Sequence, residues 1–459
     1  MTADKSQVMK YCATFALTAL LIVAAVAGFN AIVDPFGMYR AFDREGLNAH
    51  KPGIYQRVRL LKAYEVRRIR PAAIVLGTSR SHLALRPSHE GWNDAAQSRY
   101  NLAFDGATTK EMYHYLLHAQ AVQPLKQVVL GLDTYHATFL PAYTRRDFDA
   151  SILDKPESGL GAAPRILADL RLLVSIDTLK ASLDTLRTQD GAGPEWFAPD
   201  GQRLGEVFFR TVGGTFLSEG PRAYFDEIDR LEVGFQLEGR VPAPGRRARP
   251  VADAPPQETS FDYVGRIVDF CRDHEIDLRI LITPSHVHQM QIAAATGGWE
   301  AMERGKRELV KLLAEDAAAH PGAKPFPLFD FSGYSAVTTE PLPAEGTRAE
   351  MEYYWDSSHF KENVGDLVLD RIFDVQRPGR AVPADFGVRL TPDTVEPVLA
   401  KIRADQAAYR ASHASEIARI DSWVSATLAG GTPSTVANVP AASAQRQESP
   451  AAAAAASNG

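Results

Sequence analysis

Residues 74–82 read Ile74-Val75-Leu76-Gly77-Thr78-Ser79-Arg80-Ser81-His82. A short aliphatic run with no polar alternation, opening at Ala72 and stopping at a glycine and two hydroxyl residues, has the form of a strand buried on both faces. The form recurs. Tyr100 to Ala103 ends near Asp105-Gly106, Gln127 to Leu132 ends at Asp133, Leu278 to Ile282 ends at Thr283-Pro284-Ser285, and a shorter run spans Pro327 to Phe331. Helical segments separate several of these runs. Thr108-Thr109-Lys110-Glu111 is a capping box opening a helix through about Ala121. Ser260 is placed to cap a second helix, with Phe261, Val264, Val268 and Cys271 on one face, and Asn363 to Phe373 forms a third. This alternation predicts an open, doubly wound α/β fold on a parallel sheet. Ligands of such sheets bind at the carboxyl ends of the strands, where the polar residues named above lie.

Working outward, residues 140–258 break the alternation and read as a helical and looped insertion, or lid, on a domain spanning 71–390. Ile166 to Leu186 carries apolar residues three and four apart and predicts one helix. Arg240 to Pro256 reads as an irregular exposed loop. Over 391–430, Thr391-Pro392 resemble a cap and first-turn proline of one long helix ending near Leu428, with Ile402, Tyr409, Ile417, Ile420 and Val424 along its apolar stripe. Residues 431–459 are alanine-rich, lack aromatic, Leu and Ile residues, and read as a disordered tail. The connecting segment 34–70 carries Arg57, Arg59, Lys62, Arg67, Arg68 and Arg70; a solvated helix face is the usual meaning of such a run.

From Tyr11 to Val33 the chain runs 23 residues without a formal charge. At 1.5 Å per residue this is roughly 34 Å of helix, enough to cross a hydrocarbon core of about 30 Å. Lys5 and Lys10 precede it and Asp34 follows, so the positive-inside bias leaves residues 1–10 in the cytoplasm and exports the remainder. The expectation is a single-pass protein of the inner membrane with its bulk in the periplasm. A cleaved signal peptide ending at Ala25-Val26-Ala27 is the alternative, but the apolar run continues past that site.

Lys+Arg of 50 against Asp+Glu of 56 gives a formal charge of −6, unlike the basic surface of a nucleic-acid binder. Two cysteines, Cys12 and Cys271, build neither a disulfide framework nor a four-cysteine zinc site. There is no Gly-x-Gly-x-x-Gly and no P-loop, so no nucleotide cofactor is indicated, and neither cofactor nor metal is expected.

Two stretches could carry chemistry. Ser79 at the end of a central strand can project a hydroxyl into the strand-end crevice. In Trp355-Asp356-Ser357-Ser358-His359-Phe360, residues three apart on a turn can fall on one side, so that Asp356 orients His359 and the other ring nitrogen takes a serine proton. Asp133-Thr134-Tyr135-His136 has the same spacing. Ser285-His286-Val287-His288 could present two metal ligands but reads more simply as a turn or substrate loop. His82 and His136 could line the crevice.

Taken together, the order of these blocks resembles the SGNH/GDSL hydrolase superfamily. The resemblance covers about residues 71–375, without the insertion. It implies a flavodoxin-like three-layer α/β/α fold with Ser79 as nucleophile and Asp356 and His359 as its partners. Gly106, in Asn101-Leu102-Ala103-Phe104-Asp105-Gly106, matches the block whose amide serves the oxyanion. The third block departs from the family: Gly131-Leu132-Asp133 puts an aspartate where the family has an asparagine donor, and ionised Asp133 cannot donate. Asn101, Asp133 and Arg80 therefore enter as candidate oxyanion or substrate-binding residues. With its anchor, the layout is similar to the divergent membrane-anchored members, among them DltD and the alginate O-acetylation proteins. Those members handle acyl groups on envelope polymers. The implied substrate is an acylated glycan or other ester, and the implied partner a membrane-bound acyl donor. A catalytically silent glycan-binding or scaffold protein is the competing expectation.

Overall fold

The computed structural model describes residues 5–92, 97–133, 141–154, 163–189, 195–237 and 258–430. Its centre is one six-stranded sheet, built from β1 (Ala73–Leu76), β2 (Arg99–Asn101), β3 (Gln127–Leu132), β4 (Asp277–Ile282), β5 (Leu328–Asp330) and β6 (Val388–Leu390). The strand order is β2-β1-β3-β4-β5-β6. Every pairing is parallel except that of β5 with β6. Ile74, Leu76, Val128, Leu130, Leu278 and Ile280 enter one apolar cluster. The residues between them, Ala73, Val75, Val129 and Leu281, enter another. A strand turns successive side chains to opposite faces, so a run covered on both faces must be apolar throughout. The five anticipated strands are present to within three residues at their ends. The sixth, β6, has three residues with exposed Arg389 at its centre and gave too weak a pattern to read.

The helices before the insertion are α1 (Lys5–Val33), α2 (Val58–Ile69), α3 (Ser79–Ala84) and α4 (Thr109–Val122). The Thr108–Glu111 capping box is formed, each side chain accepting from the other's backbone amide at 3.1–3.2 Å. The charge run along α2 is a solvated face only in part, at exposed Arg68 and Arg70. Arg59 is buried and bonded to Glu111 and Asp147, both at 3.0 Å. Arg67 pairs with Asp154 at 2.7 Å. Lys62 is fully buried, its ammonium donating to the carbonyls of Asn101 and Gly201 at 2.5 Å each. Burial pulls the Lys62 pKa down to about 7. The correction has a simple cause: α2 lies between the sheet and the insertion, where both the carboxylates and the carbonyls are waiting.

The insertion supplies α5 (Ala163–Leu173), α6 (Ile176–Arg187), α7 (Gly205–Val212), α8 (Gly214–Ser218) and α9 (Pro221–Leu237). The single helix expected over Ile166 to Leu186 is two, because the Ser175 hydroxyl accepts from Thr178 N at 3.1 Å and starts a new helix. The loop expected over 240–256 and the tail over 431–459 lie outside the described residues. After the insertion come α10 (Ser260–Asp273), α11 (Val287–Ala295), α12 (Trp299–Ala319), α13 (Glu362–Phe373), α14 (Val395–Ser412) and α15 (Ala414–Leu428). Thr259, not Ser260, caps α10 in a box with Asp262. The long C-terminal helix breaks at His413, whose ring stacks on Tyr409 at 4.0 Å. Its anticipated apolar stripe is buried on both halves.

α1 is long and apolar enough to span a membrane, with a mean hydropathy of 2.3 over its most apolar 18 residues. It stands exposed as far as Ala25. Beyond that its last two turns dock against α5 and α6, where the buried Asn30 amide donates to Leu173 O at 2.7 Å and accepts from Ser182 Oγ at 2.7 Å. Asp34 then turns the chain away, its carboxylate taking the amides of Met38 and Arg40 at 2.7 Å.

Candidate active site

β1 ends at Leu76 and α3 begins at Ser79, so Gly77 and Thr78 must make the whole turn. Gly77 has φ +156°, and a Cβ there would lie 2.3 Å from Ser81 Oγ. A Cβ on Gly131, at the end of β3, would meet the same oxygen at 2.1 Å. The glycines of the first and third blocks thus make room for one buried hydroxyl, and the turn presents Ser79 at the carboxyl end of the sheet. From the far end of the chain, the turn before α13 brings His359 to it. Ser79 Oγ lies 2.9 Å from His359 Nε2. His359 Nδ1 lies 2.9 and 3.1 Å from the two oxygens of Asp356, which is fully buried. Asp356 also accepts the amides of Ser358 and His359 at 2.7 and 2.9 Å, which folds the Asp-Ser-Ser-His turn about its own carboxylate. An ionised carboxylate only accepts, so Nδ1 carries the proton and Nε2 is left to accept from the serine.

The remaining anticipated residues divide. The amides of Ser79 and Gly106 donate no hydrogen bond to the described residues, and Gly106 sits at φ +58°, a conformation that favours glycine. Both are open donors. Asn101 is corrected: its amide is committed to the carbonyls of Ser81 and Leu85 at 2.9 Å, and its oxygen accepts from Ala103 N at 3.0 Å. Asp133 is corrected too. It is buried and accepts the hydroxyls of Thr78 and Thr283 at 2.7 Å each, tying together the ends of β1, β3 and β4. Arg80 faces inward, with its guanidinium 3.3 Å from Asp133 and 2.9 Å from Ser358 O. It links the serine turn to the histidine turn.

His82 is buried, stacked on Phe197 at 5.5 Å, with Nδ1 3.4 Å from Asp105. Burial, with the nearby charges of Lys62 and Arg203, pulls its pKa down to about 3. Burial disfavours the Asp105 anion, but Arg203 at 2.5 Å and the His82 contact outweigh it and hold the pKa well below the usual range. His136 lies outside the described residues, as does the rest of the Asp133-x-x-His136 spacing beyond Asp133. His286 and His288 are both hydrogen-bonded within the protein. His286 bonds Glu340 O at 2.9 Å, His288 bonds Asp229 at 2.7 Å, and both rings meet the edge or face of Phe225. Among the described residues the one His/carboxylate group of ligand geometry is His89, Glu90 and Asp370, and the Arg380 guanidinium already bonds all three.

What the sequence reading missed is the insertion's share of the site. Phe209 of α7 lies 6.2 Å from the His359 ring and stacks on Trp355 at 4.8 Å. Gly205 permits this, since a Cβ there would lie 2.8 Å from Trp355 Nε1. Arg203 pairs with Asp105 and packs over Phe208 and Tyr55, and Tyr55 stacks on half-buried Trp196 at 4.9 Å. On α9, Glu232 is half-buried; burial raises its pKa, while the charges of Arg80 and His359 oppose the rise. No local motif marks these residues, because they meet the site through α7 and α9 packing over the strand ends. No protein-family model matches the sequence, and no curated protein does.

Proposed function

We propose that this is a membrane-anchored serine esterase or O-acyltransferase of the SGNH type, acting outside the cytoplasm on acylated envelope polysaccharide. The observation that carries the chemistry is the relay from Ser79 through His359 to Asp356, both contacts at 2.9 Å. A binding protein has no use for a serine aligned on an oriented imidazole. The strand order β2-β1-β3-β4-β5 supports the flavodoxin-like likeness, and Ser79 follows β1 at the switch point between β1 and β3.

In this reading Ser79 Oγ attacks the acyl carbonyl while its proton passes to His359 Nε2. The Ser79 and Gly106 amides receive the oxyanion. The ester C–O bond breaks, His359 returns the proton to the departing sugar oxygen, and the acyl group stays on Ser79. Water or a second sugar hydroxyl then repeats the sequence in reverse. Half-buried Trp196, stacked on half-buried Tyr55, is an aromatic ring of the kind on which sugar rings lie, which supports a glycan. Transfer would require a membrane-bound acyl donor beside α1. The length of α1 and the positive charges of Lys5 and Lys10 at its N-terminal end support single-pass, N-in insertion in the inner membrane.

The test is labelling of the full chain in detergent with a fluorophosphonate probe, beside Ser79→Ala and His359→Ala. Labelling of the wild type and its loss in both variants is the expected result. A folded wild type that stays unlabelled removes the catalytic reading and leaves glycan binding.

A further inference from the structure

Apart from α1 itself, most of the large exposed apolar side chains gather in one place, while Tyr143, Leu217, Phe235 and Leu428 stand singly elsewhere. Ile166, Leu167, Leu170 and Val174 lie along and just beyond α5, and Ile176 and Leu183 lie on α6, with Leu170 50% and Ile176 70% exposed. Phe42 and Leu47 stand out from the segment that follows α1. All three pieces touch the same end of α1. Its Asn30 bonds Leu173 and Ser182, and Asn48 donates to Ile32 O and Val33 O at 3.1 and 3.2 Å.

Length fixes the depth of that end. If the hydrocarbon begins at Tyr11, a core of about 30 Å is crossed in roughly 20 residues of helix, which reaches Asn30. The half-buried and buried turns of α1, from Val26 to Val33, therefore straddle the outer boundary of the bilayer. Helices packed on those turns must lie at the same depth. We infer that α5, α6 and the 39–47 segment form a collar around the exit of α1, immersed in the outer lipid interface with its apolar side chains among the acyl chains. The inference rests on reading α1 as a membrane span.

The charges on these helices fit that depth. Arg171, Lys180 and Arg187 are exposed beside the apolar residues, where long stems lie along the apolar surface and carry the cation outward to the headgroups. Asp177 and Asp184 are exposed among them, so apolar area rather than anionic lipid drives the contact. An interfacial helix of this kind sits about 5–10 Å into the headgroup and acyl boundary.

The test uses the full chain with Cys12→Ser, reconstituted in zwitterionic phosphatidylcholine vesicles. Buried Cys271 stays in place. Single cysteines at Leu170, at Leu20 in α1 and at exposed Glu300 carry a fluorophore, read against a lipid-borne nitroxide at a shallow acyl position and against aqueous iodide. The Leu170 label is expected to lose most of its emission to the nitroxide and little to iodide, with Glu300 the reverse. Leu170 quenched by iodide alone, while Leu20 answers to the nitroxide, overturns the collar and leaves the anchor standing. Leu170 shielded from both quenchers also overturns it and points to a second protein surface. If Leu20 escapes the nitroxide, the anchor itself falls.

Discussion

Ser79, His359 and Asp356, which the fold brings into one hydrogen-bonded chain, were legible as residue types at strand ends and on one turn, because such a relay needs few residues and their order along the chain is readable. Their neighbours were not. Asp133 occupies the position of a donor in the family it resembles, and only the positions of Thr78, Thr283 and Arg80 reveal that its acceptor capacity is spent on joining three strand ends. Asp133→Asn should therefore lower turnover on an ester substrate rather than raise it, since the amide would remove the carboxylate charge 3.3 Å from the Arg80 guanidinium. Asp133→Ala should cost about 3–5 kcal/mol of stability, the usual range when one partner of a buried pair is removed, and chemical denaturation reads it directly. For the relay, Asp356→Asn should reduce kcat about 10⁴-fold through the wrong imidazole tautomer, with KM little changed. His82 carries a pH dependence. Its folded pKa lies near 3, below the unfolded value of 6.5, so between those limits the unfolded chain holds the extra proton and stability falls as pH drops from about 6.5 towards 3. His82→Gln should flatten that fall in thermal midpoints measured between pH 7 and pH 4, where the buried His118 and His286, also depressed, leave a residual slope.

At the scale of elements, the strands that carry the candidate site were the easiest to read, since β1 and β3 are nearly continuous apolar runs closed by polar residues and β4 is interrupted only by Arg279. Helix ends were harder, because a break such as that at Ser175 or His413 turns on one side chain meeting one amide or one ring. The turn from β1 into α3 yields a sharper expectation. Gly131→Ala should destabilise the fold by about 1–3 kcal/mol, as overpacking does, because its new methyl meets Ser81 Oγ. That oxygen has no hydrogen-bond partner among the described residues, so Ser81→Ala alone should be near neutral and should rescue most of the loss in Gly131→Ala. Gly77→Ala should not be rescued, since its Cβ would still crowd Ser81 Cβ at 2.6 Å and Gly131 O at 3.1 Å. Denaturant midpoints of the single and double variants separate the two cases.

The whole molecule is tied together by contacts between distant parts of the chain, which no local pattern announces. α15 clamps the insertion: Arg222 pairs with Glu416 at 2.9 Å, Arg419 pairs with Asp226 at 2.5 Å, and Ile420 and Val424 cover Val233 and Leu237. Ending the chain after Ser412 should lower the thermal midpoint. By loosening α9, which carries Glu232 towards Arg80 and His359, it should also raise KM more than it lowers kcat. The expected insertion is thus a structural wall of the site, held from the C-terminus. The same long reach governs when the relay comes into being. Ser79 and His359 are separated by 280 residues, with the insertion and four of the six strands between them. If the chain is threaded outward from its N-terminal helix as proposed, Ser79 emerges early, as an ordinary alcohol with no base beside it. On that reading reactivity would switch on only when the last third of the polypeptide has followed and β4 and β5 have closed against β3, so a half-exported chain would not be acylated at Ser79.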